Sequence, residues 1–417
     1  MLTILLTLTL AASPVEQVRT TYAEAVAAYR AGDGEALRSA AEQLTELRPG
    51  SPQFIYLTAA GAALAGDHAI AVSHLNRLAA MGLALSPDRE PAFESLQESE
   101  AFRTLVTRFE ANAAPRGHAE VLFSLDDGQF IPESVVHDPA TGRFFVSSVR
   151  QRRIVVFHPD HGAKNFVEPG AHGLMSVMGM RVDGEDRRLL VATVGAEEAP
   201  GTPETQLGRS GIMVFDLDSG EPLATHLLPE GPDVQWLGDL LLVEDDQVLA
   251  TDSRTGSVWQ LDLGSGAWSP LVEPGMLSSP QGLVADGSGD GYYIADYTGG
   301  LWHLDRNTGT LERLALAPAV NAYGIDGLYR HGESLIAIQN GHRPHRITRL
   351  TLDDDGKRVH TQTDLAAGLP EFDDPTLGTI VGDTLYFVAN SHWPSFDADK
   401  NLPEDLVPPL IMRLELD

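Results

Sequence analysis

The sequence predicts a mainly β fold, a six-bladed β-propeller, preceded by a small α-helical domain. Between residues 15 and 112, apolar positions recur three and four apart, as in amphipathic helices. From about residue 119 this period gives way to short alternating apolar runs separated by glycine-containing turns. These runs recur as six units of about four strands each, and such repetition is typical of propeller blades.

The first thirteen residues are interpreted as a signal peptide. Residues 2–10 are apolar apart from threonines, and Ala11, Ala12 and Ser13 are small, as signal peptidase requires. The segment has no lysine or arginine, so the alternative is the amphipathic start of a cytosolic protein. The favoured interpretation predicts an exported, periplasmic or secreted protein. No later apolar stretch is long enough to predict a membrane span.

The helical part, residues 15–112, contains an internal sequence repeat. Ala31-Gly32-Asp33 recurs 34 residues later as Ala65-Gly66-Asp67, which is the period of the tetratricopeptide repeat. In such a turn glycine ends one helix and aspartate caps the next. A further helix over about 99–112 would close the array. The region is either a groove for a protein partner or a packing module on the larger domain, with residues 113–118 as the linker.

The six units of residues 119–417 each begin with an inner strand that is expected to face the central channel. Their motifs are Pro132-Glu133, Met178-Gly179, Gly238-Asp239, Pro280-Gln281, Ile325-Asp326 and Gly378-Thr379. The last unit lacks a fourth strand. We expect residues 121–125, ahead of the first unit, to supply it and so tie the two ends of the domain together.

Four of these motifs place an oxygen ligand at matching positions, namely Glu133, Asp239, Gln281 and Asp326. Three carboxylates and an amide meeting near an axis would repel each other unless a cation lay between them. Hard oxygen donors suit Ca²⁺ best and also Mg²⁺, with Mn²⁺ or Zn²⁺ left open. The sequence therefore predicts one divalent cation. The alternative is a hydrated polar channel without metal.

Three histidines lie on loops after second strands: His342, His345 and His392. They are weaker candidates for bases or substrate contacts at the channel mouth. At the ends of second strands, Asp252, Asp296 and Asn390 are expected to cap turns.

Composition excludes several classes of site and partner. The chain has no cysteine, which removes disulfides, thiolate metal sites and cysteine nucleophiles. It also contains no nucleophile elbow, phosphate loop or zinc-protease helix motif. A formal net charge of −30, most of it after residue 118, argues against nucleic acid as a partner.

The inner-strand motifs Pro132-Glu133, Gly238-Asp239, Pro280-Gln281-Gly282-Leu283 and Asp326-Gly327 resemble those of the senescence marker protein/gluconolactonase family. That family is related to the strictosidine-synthase-like propellers. The resemblance covers most of residues 119–417 and none of the helical part. It implies a six-bladed propeller with one divalent metal on its axis and activity on sugar lactones.

Carried over by position, the resemblance makes Glu133 and Asp326 metal ligands and Asp326 the general base as well. Asp239 and Gln281 stand where the family usually has asparagine. The family's lactonase arginine is replaced by the segment Gln235-Trp236-Leu237.

Two functions follow as hypotheses. The first is a metal-dependent hydrolase of lactones or esters, with Asp326 or Glu133 as the base toward water. The alternative is a non-catalytic binding or scaffold protein that uses the propeller and the helical repeats for protein partners.

Overall fold

The computed structural model of the protein describes residues 13–244 and 246–416. The predicted signal peptide, except for Ser13, lies outside the described residues. Within the described ranges no helix is both long enough and apolar enough to cross a bilayer.

Five α-helices form the N-terminal part of the described chain: α1 (Pro14–Ala31), α2 (Gly34–Leu47), α3 (Pro52–Leu64), α4 (His68–Ala80) and α5 (Glu100–Asn112). Gly32 ends α1 at a φ of 69°, and the Asp33 side chain caps α2 by accepting from the Ala36 N–H over 3.0 Å. Asp67 does not cap α4, because its carboxylate pairs with Arg38. The helices share one apolar core, in which Phe102 and Phe109 of the closing helix are buried.

The rest of the described chain is a six-bladed β-propeller, as predicted. Two strands precede the first blade: β1 (Arg116–Gly117) and β2 (Glu120–Ser124). Blades one to three are β3–β6 (Pro132–Asp138, Arg143–Ser148, Arg153–His158, Gly162–Val167), β7–β10 (Ser176–Asp183, Arg188–Val194, Ser210–Asp216, Pro222–Leu227) and β11–β14 (Leu237–Leu242, Gln247–Asp252, Ser257–Asp262, Trp268–Val272).

Blade four is β15–β18 (Pro280–Ala285, Gly291–Asp296, Gly300–Asp305, Leu311–Arg313), and the short β19 (Ala315–Leu316) follows it. Blades five and six are β20–β23 (Ile325–His331, Ser334–Gln339, Arg346–Leu352, Arg358–Ala367) and β24–β26 (Gly378–Val381, Thr384–Val388, Leu410–Glu415). Blade six takes β2 as its fourth, outermost strand, antiparallel to β26. The predicted closure of the ring by residues near 121–125 is thereby confirmed.

The blades are held together by apolar cores that lie between neighbours. Each of six buried clusters draws side chains from two adjacent blades, for example Phe145 with Met213 between blades one and two. The inner strands β3, β7, β11, β15, β20 and β24 contact one another in that cyclic order. The six inner strands therefore ring a central channel.

The helical part packs directly on the propeller. Arg48 donates to the Thr298 carbonyl over 2.9 Å, Tyr323 donates to the Pro49 carbonyl over 3.0 Å, and Arg346 donates to the Met81 carbonyl over 3.0 Å. The segment predicted as a linker, 113–118, contains β1, which pairs with β23 of blade five. The helices thus cover blades four and five at one opening of the channel.

Candidate functional site

A recurring backbone irregularity positions the channel residues. In the inner strands of blades one to five, a β-bulge places two residues opposite a single residue of the second strand. A bulge bends the strand and re-aims its side chains. The two bulge residues are, in blade order, Glu133 and Ser134, Met178 and Gly179, Gly238 and Asp239, Gln281 and Gly282, and Asp326 and Gly327.

The first residue of the bulge points into a cavity at the channel opening, which we call the channel mouth. It has a volume of about 360 Å³ and is lined by Glu133, Met178, Trp236, Ser253, Arg254, Ser279, Gln281, Tyr297, Asp326, Asn340, Asp374 and Trp393. Four of the five first bulge residues are in that lining, and the fifth, Gly238, has no side chain. The predicted residues Glu133, Gln281 and Asp326 therefore do meet.

Asp239 does not join them, which corrects its predicted place in the ligand set. It is the second residue of its bulge, one position out of register with Glu133 and Asp326. Its carboxylate is 2.9 Å from the Arg181 guanidinium and accepts from the Leu240 N–H over 2.9 Å. The side chain is almost fully buried and does not line the channel mouth, although its charge contributes to the raised pKa values of Glu133 and Asp326.

Glu133 is held by a residue from the opposite end of the domain. Its Oε2 accepts a hydrogen bond of 2.6 Å from the Trp393 indole N–H. Burial raises the pKa of the Glu133 carboxyl well above its usual range, and the nearby Asp326 carboxylate raises it further. The Trp393 hydrogen bond opposes both effects because it favours the ionised form.

Asp326 stands at the end of a hydrogen-bonded chain. The Tyr297 hydroxyl donates to Oδ1 of Asn340 over 2.9 Å, and the Asn340 amide donates to Oδ2 of Asp326 over 2.8 Å. Burial, followed by repulsion from Asp374, raises the pKa of Asp326 to about 7. The Asn340 bond fixes the orientation of the Asp326 carboxyl in the lining of the channel mouth.

Asp374 is the carboxyl that sequence reasoning missed. It belongs to the loop before β24, where blade six has a regular inner strand without a bulge. It adopts a φ of 64°, its N–H donates to Nδ1 of His345 over 3.0 Å, and its Oδ2 accepts from the Ser391 hydroxyl over 3.0 Å. Burial raises the pKa of this carboxyl as well. Only the pair Asp373-Asp374 before a strand could have drawn attention to it.

Arg254 brings a positive charge to the same cavity. It lies in the turn after β12, and its guanidinium carbon is 5.3 Å from the centre of the Trp236 ring. Arg254 is thus the arginine that lines the channel mouth, and the turn after β12 of blade three supplies it.

The three predicted histidines are not in the lining of the channel mouth. His345 accepts from the backbone of Asp374, and burial lowers the pKa of its ring to about 4. His392 is bonded through Nε2 to the Val407 carbonyl over 2.9 Å and holds its own loop. His342 lines a separate cavity beside the helices. Their neighbours Asn340 and Trp393 are the residues of these loops that reach the site.

The turn-capping role predicted for the second-strand ends is confirmed for Asp252 and Asp296, whereas Asn390 bonds to the start of β26. Asp252 accepts from the backbone N–H groups of Trp236 and Arg254 over 3.1 and 3.0 Å. Asp296 accepts from Ser278, Ser279 and Gly299 in the same way. Asn390 accepts from the Leu410 N–H over 2.6 Å. These caps hold the loops that carry the channel-mouth residues.

The predicted cation site is not formed by its four predicted ligands. Asp239 is paired with Arg181, Glu133 with Trp393, and Asp326 with Asn340, while the Gln281 amide donates to the Ser279 hydroxyl over 3.3 Å. Across residues 13–244 and 246–416, no three Asp, Glu or His side chains are grouped so that they would hold a metal ion. As arranged, the four predicted donors are not grouped into one ligand set, so the divalent cation stays a prediction.

Comparison with known proteins gives a likeness of fold. No family model matches the chain, and no curated protein matches its sequence. Among solved structures, the luciferin-regenerating enzyme has 13% identity and a TM-score of 0.50 over 72% of this chain and 95% of its own. A regucalcin from Agrobacterium tumefaciens (17% identity, TM-score 0.49, covering 72% and 93%) and a gluconolactonase from Xanthomonas campestris (16%, 0.48, covering 73% and 92%) are similar. At such identity the likeness to the luciferin-regenerating enzyme shows the fold and not an activity.

Proposed function

We propose that the protein is a hydrolase of lactones or related esters and that the reaction takes place at the channel mouth. The observation that carries the proposal is the convergence of two buried carboxyl groups, Glu133 and Asp326, and the partly buried Asp374 in an open cavity that also holds Arg254. A cleft of this kind, with titratable groups whose pKa values are displaced, is the usual setting for acid–base chemistry.

The carboxyls divide the acid and base roles. Burial and repulsion by neighbouring carboxylates raise the pKa of both Glu133 and Asp326, which suits one of them to carry the proton of the acid while the other acts as the base. Asp326, oriented by Asn340, takes a proton from water as that water attacks the carbonyl carbon. Glu133, oriented by Trp393, gives its proton to the departing alkoxide oxygen when the carbon–oxygen bond breaks. The product is a hydroxy acid, or an acid and an alcohol from an open ester.

Arg254 supplies the positive charge that such a reaction needs. The carbonyl oxygen becomes an oxyanion in the transition state, and a fixed guanidinium lowers the energy of that charge. Stacking on Trp236 limits where the guanidinium moves. Trp236 and Trp393 also give the cavity flat apolar walls for a small organic ring.

The divalent cation implied by the family resemblance, Ca²⁺ first, is assigned no step in this scheme. Glu133, Asp326 and Asp374 are the carboxyls that share the channel mouth, and they would have to draw together to bind it. Hydrolysis is therefore measured with and without a chelator. The carboxyl scheme expects turnover to persist, whereas a loss that added Ca²⁺ restores would assign catalysis to a bound cation instead.

The central experiment is a lactone and ester screen with matched variants. We expect Asp326→Asn and Glu133→Gln to lower kcat by about 10²-fold or more, as for loss of a general acid or base. Glu230→Gln is the control, because Glu230 is an exposed carboxylate paired with Arg209. If no substrate of either class is turned over, or if all three variants match the wild type, the hydrolase proposal is wrong and the non-catalytic binding protein becomes the better hypothesis.

Export remains part of the proposal on the basis of residues 1–13. Expression of the full chain with fractionation and N-terminal sequencing tests it, and an intact Met1 in the cytoplasmic fraction would contradict it. A protein partner for the tetratricopeptide-like helices also remains a prediction, tested by capture with the propeller alone and with the full chain.

A further inference from the structure

A second cavity, which we call the interface cavity, lies between the helices and the propeller. Its volume is about 500 Å³. The helical part contributes Tyr56, Leu57 and Leu83, and the propeller contributes Tyr297 and Tyr323. Neither domain would enclose this space by itself. The lining holds no aspartate, glutamate, lysine or arginine, so the cavity offers apolar and aromatic surface without a formal charge.

The interface cavity adjoins the channel mouth through one side chain. Tyr297 lines both spaces, and its hydroxyl is the start of the chain through Asn340 to Asp326. Gly341, next to Asn340, lets this wall pack closely. A Cβ at that position would lie 2.5 Å from the Cα of Gly324 and 2.9 Å from the Tyr297 ring. A ligand filling the interface cavity would therefore end at Tyr297, which is the side chain that the two cavities share.

The helical wall is held in place at both ends of the cavity. Arg48 donates hydrogen bonds to the Ser278 hydroxyl and to the carbonyl of Thr298, the residue that follows Tyr297 in the chain. On the other side the Ala84 N–H donates to the Arg343 carbonyl over 2.8 Å. Arg48 is itself buried. Because these bonds fix the backbone on either side of the lining residues, the cavity is pre-formed, as small-molecule sites usually are.

His342 is the titratable side chain of this lining other than the tyrosines, and its lack of charge favours an apolar ligand. Burial and, to a smaller extent, the positive charge of Arg346 on β22 together lower the pKa of His342 to about 4. The ring is therefore neutral at physiological pH and would not attract an anion. A hydrocarbon chain or aryl group matches this mostly apolar lining better than a sugar, whose many hydroxyls would find only a few polar side chains such as Gln53 and Thr298.

We propose that the substrate is amphiphilic: its lactone or ester carbonyl lies at the channel mouth, and its apolar tail lies in the interface cavity against the helices. This inference rests on the proposed hydrolase function for the identity of the head group. It makes the helical part a specificity element of the site. The interface cavity would hold one end of the molecule whose other end reacts at the carboxyls.

The test uses pairs of probes that differ only in tail length. The hydrolysable pair is γ-valerolactone and γ-dodecalactone, and the pair that cannot be hydrolysed is 3-methylcyclopentanone and 3-octylcyclopentanone. Each methylene buried in an apolar site strengthens binding roughly fourfold. We therefore expect the octyl ketone to bind the wild type at least about tenfold more tightly than the methyl ketone in calorimetry.

The variants are two identical substitutions on α3. Leu57→Trp fills the interface cavity, whereas Leu64→Trp, on the partly exposed side of the same helix, does not. We expect Leu57→Trp to abolish the preference for the octyl ketone and to leave the weak binding of the methyl ketone unchanged. Leu64→Trp should retain the preference. Matching melting temperatures exclude misfolding as the cause, and Leu85→Trp repeats the test from a second lining residue if Leu57→Trp fails to fold.

The outcomes separate the two proposals. Tail-dependent ketone binding that only the lining variants remove supports the inference even if neither lactone is hydrolysed, in which case the hydrolase proposal alone is wrong. Equal binding of both ketones to the wild type, or equal effects of Leu57→Trp and Leu64→Trp, overturns the inference even if the lactones are hydrolysed.

Discussion

Trp393 donates its indole N–H to Oε2 of Glu133 over 2.6 Å, which joins a loop of blade six to the inner strand of blade one at the channel mouth. The two residues are 260 positions apart in the chain and meet because β2 closes the ring against β26. The same closure that stabilises the propeller thus orients a carboxyl of the candidate site.

We predict that Trp393→Phe raises the pKa of Glu133 further. The indole hydrogen bond favours the ionised carboxylate, so its loss leaves burial and the Asp326 charge unopposed. The pH–rate profile of hydrolysis should move toward higher pH. Trp259→Phe is the matched control, because within the described residues the Trp259 indole N–H has no hydrogen-bond acceptor. A profile that moves equally in both variants would show that the bond does not tune Glu133.

We predict that Asp374→Asn lowers the pKa of Asp326 toward the ordinary carboxyl range. Burial is the first cause of the raised pKa and would persist, whereas the repulsion from Asp374 would be removed. The limb of the pH–rate profile that reports Asp326 should therefore move to lower pH. Asp373→Asn changes the neighbouring, more exposed carboxylate, so it should leave that limb in place. Identical profiles for Asp374→Asn and the wild type would contradict the coupling.

The stability of the fold should fall as pH rises through the pKa of Asp326. With a folded pKa of about 7 and an unfolded value near the usual 4, Asp326 binds its proton more tightly in the native state. The native state then holds the extra proton between these values, and the unfolding free energy decreases over that interval. Histidines that are neutral in the folded state lower the stability as pH falls below about 6.5, which opposes the effect of Asp326. The contribution of Asp326 is therefore isolated by the difference between a variant and the wild type.

That difference is the melting temperature of Asp326→Asn minus that of the wild type at pH 6 and pH 8. It should become more positive at pH 8, by about 2 °C or more. A difference that does not change between the two pH values would mean that Asp326 titrates as an ordinary carboxyl.

Sequence reasoning reached the fold and part of the site for identifiable reasons. The inner-strand repeats and the unpaired strand near residue 121 predicted six blades and their closure, because period-two patterns and turn residues are local signals. The register between paired strands is harder to predict from the sequence. The sequence motifs align Asp239 with Glu133, although Asp239 is the second and Glu133 the first residue of its bulge. This offset of one position depends on pairing with the second strand, which the motif does not reveal. Asp374, Arg254 and Trp393 lie on loops, whose approach to the channel is set by packing between blades.

The Asp239 correction makes a testable claim about stability. We predict that Asp239→Ala costs about 3 kcal/mol or more of unfolding free energy, because it leaves the largely buried Arg181 without its partner. Combining it with Arg181→Met should recover most of that loss. Urea unfolding of the two single variants and the double variant measures the coupling. Additive losses would mean that the ion pair is not the reason for the burial of Asp239.

The last prediction concerns the contact between the helices and the propeller. Arg48→Met removes the bonds to Thr298 and Ser278, which come from a charged, buried donor. Hydrogen bonds to charged groups contribute about 1.5–3 kcal/mol each, so we expect a loss of that order and faster proteolysis between α5 and β2. Arg19→Met is the control, since Arg19 is exposed on α1 and, within the part of the chain that the structure describes, its ion pair is with Glu16 at 3.6 Å. If Arg48→Met unfolds and is cleaved like the control, the helices are held on the propeller by apolar packing instead of by these bonds.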